Sequence, residues 1–294
     1  MPINTPSPDS SQRFIFENAD VRGEIVRLHK SYLDTIAGKQ YPDQVAILLG
    51  QFLAGSALLS STIKFSGRLV LQARTEGEVA VIMGECNSEG ELRGIARYAQ
   101  TPTSDQFSEL LRDGNLVITI DSRKGEPYQG IVPLEGNNLA ECLEVYFEQS
   151  EQLGSVFYFA ANKDSVVGVM LQQMPAQLVK DKEDRSVHWQ HFSTLARTLT
   201  DDELLSLPNA DILNRLYHQE ELRVFAPREL KFSCSCSRER TARALTALGK
   251  EEIDEIVAEK GGIEICCEFC GTEYNFGPGE LALLIEGAEE GAAH

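Results

Sequence analysis

The chemistry in this chain is concentrated in sulfur. Of its seven cysteines, five stand near the C-terminal end: Cys234, Cys236, Cys266, Cys267 and Cys270. They read as Cys234-Ser-Cys236, then thirty residues, then Cys267-Glu-Phe-Cys270-Gly271. The second half is a knuckle whose tight turn aims two sulfurs the same way, with Gly271 allowing backbone amides to approach them. In Cys-x-Cys, residues i and i+2 lie on one side of an extended strand. Two such pairs supply four thiolates to a tetrahedral ion, which suits zinc at about 2.3 Å per Zn–S bond. Five unmetallated surface thiols would instead be a liability in a cell. Cys234, Cys236, Cys267 and Cys270 are therefore the expected ligands of one Zn(2+) per chain. Only Cys267 stands three residues before Cys270, so Cys266 is expected to face away as a spare thiol.

Spacing alone leaves two uses of such a site open. One is a structural zinc. The other is a redox switch, because Arg238 and Arg240 flank the Cys-x-Cys pair, and guanidinium charge favours the thiolate that oxidants attack. Magnitudes make a switch feasible. Structural zinc contributes about 10–16 kcal/mol, against about 5–15 kcal/mol for the stability of a whole domain. A module this small does not outlive its metal, and oxidising the sulfurs would unfold it and loosen helices docked on it.

Other candidates weigh less. His188-Trp-Gln-His191 has the spacing of a metal pair, but such a pair is more often a packing or solvent face. Trp189, the only tryptophan, suits a core or docking role. Cys86 and Cys142 read as inert. Glu17, Asn18 and Arg22 form a polar cluster without catalytic partners, and no Ser-His-Asp or Cys-His arrangement can be argued, so an enzyme is not expected. A thiol–disulfide oxidoreductase using Cys267 and Cys270 would need a helix opening at the motif, whereas Gly-Thr-Glu-Tyr-Asn-Phe276 reads as a hairpin. A zinc ribbon binding nucleic acid is disfavoured by charge.

The elements that must position these sulfurs read as follows. Residues 1–12 look like a frayed polar tail. Val45 to Leu59 is apolar all round and predicts a buried helix. Strands are expected at Arg68–Gln72, Val79–Met83, Leu116–Ile120 and, after a Lys124-Gly125-Glu126 turn signal, Tyr128–Val132. A second helix spans Leu139–Leu153, and Val156–Ala160 and Val166–Met170 close the block as strands. The fold class is α+β, with one sheet and packed helices in a core domain, residues 1–178. Residues 179–230 form a helical, strand-free linker up to Pro227. It opens on an exposed charge cluster, Lys180–Arg185, and carries a capping box at Thr200-Asp-Asp-Glu203. These short amphipathic helices are too small to bury a core alone. In residues 231–294, helices at 238–248 and 251–259, a strand at 263–265, a return strand at 274–276 and a terminal helix at 280–285 complete a small zinc-binding α+β domain.

The composition, 42% hydrophobic and 24% charged, is that of a globular chain. A net charge of −18 repels phosphate backbones and anionic lipid, so nucleic acid and membrane are poor partners. No run of about 18 apolar residues suggests a membrane span. The first residues lack a basic and an apolar signal region, so the expected compartment is the cytoplasm, where clustered thiols stay reduced.

Phe232-Ser-Cys-Ser-Cys-Ser-Arg-Glu-Arg240 followed by Cys267-Glu-Phe-Cys-Gly-Thr-Glu-Tyr-Asn-Phe276 resembles the C-terminal switch of the heat shock protein 33 family, bacterial redox-regulated holdase chaperones. The resemblance extends to Phe14–Glu24, Tyr128–Gly136, Tyr146–Leu153, Gln172–Gln177 and Arg215–Glu220. It implies zinc on Cys234, Cys236, Cys267 and Cys270 in a reduced, inactive monomer. Oxidative stress, above all with heat, would pair Cys234 with Cys236 and Cys267 with Cys270. Zinc would be released, the linker would become mobile, and a homodimer would hold unfolding client proteins without ATP. No Walker motif is present, consistent with that expectation. Cys266 departs from the motif and is a potential competitor for the second pairing.

Overall fold

The computed structural model describes residues 9–63, 66–122 and 126–292, with side chains as far as Ile285. It divides into two compact units. One holds the chain up to Ser233 apart from residues 37–39. The other holds residues 37–39 and the chain from Cys234 onward.

The larger unit is α+β. It begins with the hairpin β1 (Ser10–Phe16) and β2 (Val21–Leu28), then α1 (Lys30–Ile36) and α2 (Asp43–Thr62). Five strands and a helical turn follow: β3 (Gly67–Arg74), β4 (Val81–Asn87), β5 (Glu91–Arg97), α3 (Phe107–Leu110), β6 (Asn115–Ser122), which returns to pair with β3, and β7 (Tyr128–Pro133). Then come α4 (Leu139–Tyr146), a π-helical turn at Phe147–Glu151, β8 (Ser155–Ala161) and β9 (Val166–Gln173). The strands form two sheets, not the single sheet expected: β10-β1-β2-β9-β8, with β11 also on β1, and β12-β5-β4-β3-β6-β7, where β10 is Leu222–Val224, β11 Arg228–Glu229 and β12 Lys231–Phe232.

The reason for two sheets lies in α2. Its surface is apolar on every side, so a single sheet would leave half of it in water. Leu49, Phe52, Leu53 and Leu58 share one core with Val26, Phe157, Val166 and Met170 of the first sheet and Leu69, Leu71 and Ile82 of the second. Contact is close enough that a Cβ at Gly84 would lie 2.4 Å from the Phe52 carbonyl oxygen, so only glycine lets β4 reach the helix. By length and composition α2 could cross a membrane, but 78% of its apolar window is buried in this core.

The helices within residues 179–230 lie on the opposite face of the first sheet. Here α5 (Lys182–Ala196), α6 (Asp201–Ser206) and α7 (Asn209–Tyr217) contribute Phe192, Ala196, Leu204, Ile212, Leu213 and Tyr217 to a second core with Phe14, Phe16, Ile25 and Val169. Phe16 and Phe192 stack at 3.9 Å between centroids. β9 is therefore buried on both faces, and its run Val-Val-Gly-Val-Met-Leu is continuously apolar rather than alternating. The Thr200–Glu203 capping box is present. The stretch is not strand-free: β10 pairs with β1 through Phe14 opposite Val224, because the chain must return across the sheet edge before leaving the unit. The charge cluster is not a bare connector either, since Asp181 caps α5 by accepting from the Glu183 and Asp184 amides. Nor do residues 10–12 fray; they pair with Ile25, Val26 and Arg27. Residues 1–8 of the expected tail, and Lys124-Gly125 of the turn signal, lie outside the described residues.

The smaller unit contains α8 (Arg238–Leu245), a 3-10 turn at Thr246–Leu248, α9 (Lys250–Lys260), the hairpin β13 (Ile263–Cys266) and β14 (Glu273–Phe276), and α10 (Pro278–Ala292). Gly249 and Gly261 bracket α9 at φ +85° and +75°, values that side chains resist. The core is small: Ala242, Leu245, Ile253, Phe276, Leu281 and Ile285.

Candidate metal centre

The hairpin and α8 explain how the sulfurs meet. β13 runs into a turn at Cys267–Cys270, closed by the Gly271 amide donating to the Cys267 carbonyl at 2.7 Å and the Cys267 amide donating to the Thr272 carbonyl at 2.8 Å. Gly271 takes φ +73°, the left-handed conformation this return needs. Across from it, Ser237 caps α8 by accepting the Arg240 amide, which ends the extended Cys234–Cys236 segment. Arg240 donates to the Ser235 carbonyl and hydroxyl, both at 2.7 Å. Arg238 forks onto Glu280 at 2.6 and 3.0 Å and sits over the Phe276 ring, tying α8 to β14 and α10.

The four sulfurs of Cys234, Cys236, Cys267 and Cys270 lie within 4.8 Å of one another. Cys234 to Cys267 is 3.7 Å and Cys236 to Cys270 is 3.3 Å. Four sulfurs at about 2.3 Å from one tetrahedral ion stand about 3.8 Å apart. The donor set and its spacing therefore fit zinc. Hydroxyls approach two of the sulfurs: Tyr274 donates to Cys236 at 3.1 Å, and Thr272 Oγ1 lies 3.2 Å from Cys270. Neither was read from sequence, although both stand within four residues of Cys270.

Protonation differs across the cluster. Burial pushes the Cys234 thiol up to about 12, helped by the neighbouring thiols. Burial also raises Cys236, against the Tyr274 hydrogen bond. At Cys270 burial is outweighed by hydrogen bonds from Thr272 and from the other thiols, which hold it down to about 6. A cation at the centre would favour the thiolate throughout.

The remaining candidates are placed elsewhere. Cys266 is exposed at the end of β13, on the strand face it shares with exposed Glu264. Cys86 and Cys142 are buried in the first core. His191 contacts Glu220 at 3.0 Å and His188 lies beside the Phe192 ring, so these imidazoles serve the helix layer. The indole of Trp189 lies against Gly154, where an added Cβ would stand 2.9 Å from it. Glu17 pairs with Arg223, Asn18 with Glu221, and Arg22 with Gln172, so this cluster is dispersed among structural ties. Cys267-Glu-Phe-Cys270 occupies a hairpin turn and does not open a helix.

A two-sheet α+β core and a terminal hairpin module gathering four thiols define a chain built around a cysteine cluster. The family model described as Hsp33 protein matches residues 9–277. The 33 kDa chaperonin of Pseudomonas aeruginosa PAO1 is 50% identical over 283 residues, covering 95% of each chain. That of Pseudomonas fluorescens Pf-5 is 48% identical over 286 residues, covering 96% of this chain and 95% of the relative. The crystal structure of the 33 kDa chaperonin from Thermotoga maritima, 23% identical, matches the fold with a TM-score of 0.79 over 96% of this chain and 99% of its own. The chain belongs to the Hsp33 family; it is a chaperone, not an enzyme.

Proposed function

We propose that this chaperone is a redox-regulated, ATP-independent holdase of the cytoplasm, with Cys234, Cys236, Cys267 and Cys270 as both zinc ligands and switch thiols. The supporting observation is the convergence of four sulfurs from two separated segments within 4.8 Å. Its working parts are a core at 1–178, a linker at 179–230 and a switch at 231–294. Zinc bound there would cross-link the Cys-x-Cys segment to the hairpin turn and compensate for a core that has six buried side chains among the described residues. One peroxide per pair would take two electrons from the two thiolates, pick up two protons from water and leave as two waters, joining Cys234 to Cys236 and Cys267 to Cys270. Those bonds withdraw all four thiolates from the ion. The switch unfolds, and tension at residues 231–233, which hydrogen-bond the β5 edge, reaches the linker. Helices α5 to α7 then leave the first sheet, exposing Phe14, Phe16 and Ile25 on one side and the apolar helix faces on the other. The freed surfaces bind unfolding clients and a second copy, and the −18 charge keeps the complexes dispersed.

The test follows zinc with a chromogenic chelator and client aggregation by light scattering. Peroxide with mild heat is expected to release one zinc per chain and switch on suppression. Suppression that ignores redox state would overturn the switch.

A further inference from the structure

We propose that Tyr274 is a positioning residue whose hydroxyl sets how readily the thiol cluster is oxidised. The inference rests on the zinc-switch reading and adds a residue outside the four ligands.

Tyr274 belongs to the second cysteine segment, yet it donates to Cys236 of the first at 3.1 Å. Its ring is not free to choose another partner. It stands opposite Ile265 in the β13–β14 register and packs with Ile263 and Ile265 against the small core around Phe276. The hydroxyl is thus delivered to the sulfur by the fold. Thr272 places a second hydroxyl 3.2 Å from Cys270, and Cys236 and Cys270 stand 3.3 Å apart. Two hydroxyls therefore converge on two adjacent sulfurs.

A hydrogen bond to a thiolate draws charge from the lone pair that attacks peroxide. It also orients the sulfur as a ligand, which is how an outer partner strengthens metal binding. Removing it acts in both directions at once: the sulfur becomes the better nucleophile and the metal is held less tightly. Packing alone predicts neither change, because Tyr274→Phe keeps the ring and deletes only the oxygen.

The experiment compares full-length wild type, Tyr274→Phe and Thr272→Val, each loaded with zinc or cobalt. Tyr274→Phe is expected to bind one zinc with affinity about 10–100-fold weaker, the usual range for an outer partner of a metal ligand. Peroxide should then release the zinc several-fold faster. The sulfur-to-cobalt charge-transfer band should move to lower energy as the sulfur lone pair loses its hydrogen bond. Thr272→Val should move release and band the same way. Unchanged release and an unchanged cobalt spectrum in Tyr274→Phe would overturn the proposal and leave Tyr274 a packing residue. Complete loss of metal would also overturn it, since the hydroxyl would then be needed for loading rather than tuning. Wild type that binds neither metal would instead sink the zinc reading itself.

Discussion

At the residue scale, the seven thiols divide by environment. Burial raises Cys86 to about 11 and raises Cys142 as well. Both sit in the first core and stay protonated at working pH, so neither is a nucleophile. In native, reduced, metal-free protein at pH 8, iodoacetamide is expected to label the C-terminal cysteines and spare these two until the chain unfolds; mass spectrometry of the digest checks this. Labelling of Cys86 in the folded chain would mean the two-sheet core opens readily. Cys266→Ser is expected to keep one zinc per chain by elemental analysis, because its side chain is exposed and outside the group of four close sulfurs. Loss of metal in that variant would mean the ligand register is wrong. The four convergent sulfurs were legible because their spacing carries the geometry: a two-residue strand period and a three-residue turn. Tyr274 and Thr272 were not, since a hydroxyl near a cysteine in sequence says nothing of where its oxygen points until the hairpin register is known.

At the element scale, the layer of α5 to α7 is held by a few specific ties as well as by its apolar faces. Asp20 accepts the Gln177, Leu178 and Val179 amides at 2.9–3.1 Å and lies near Arg185. Burial alone would raise its carboxyl, but these bonds and the guanidinium more than offset that and hold it below its ordinary 3.8. A depressed carboxylate contributes stability that is complete above the unfolded value and is lost as pH falls through the folded one. The anchor is therefore intact at neutral pH and fails only below about pH 4. Asp20→Asn is expected to cost about 1–3 kcal/mol, read as faster amide exchange in α5 with little change in α2. Equal protection in both proteins would contradict the anchor. Phe192→Ala should cost about 3–5 kcal/mol by denaturant unfolding, given its stacking on Phe16. The buried helix α2, the capping box and the Gly-bracketed α9 were legible, because all-round apolarity, Thr-x-x-Glu and glycine punctuation act locally. The strands β1, β2 and β5 passed unread. Their residues alternate weakly, since β2 is buried on both faces and β5 carries Gly94.

At the scale of the whole molecule, sequence periodicity gave a class but not a layer count. Strand pairing is long-range, and nothing within Arg68–Val132 declares that it forms a sheet apart from β1, β2, β8 and β9. The structure shows the reason in α2, whose uniform apolarity takes cover on two sides; the sequence predicts a buried helix there but only one sheet. The packing of α5 on the first sheet has a built-in reporter in Trp189, against Gly154. If the proposed switch operates, its emission is expected to shift to longer wavelength on oxidation with heat, together with a rise in sedimentation coefficient. Emission that stays fixed while clients are held would show that α5 never leaves the sheet.

The most direct test of the central claim is zinc release and client light scattering followed in one cuvette, after peroxide is added at elevated temperature to reduced, metal-loaded protein. The account predicts one zinc freed per chain, with suppression of aggregation rising in step and both reversed by thiol reductant and resupplied zinc. Full suppression before any zinc appears, or complete release with none, would contradict it.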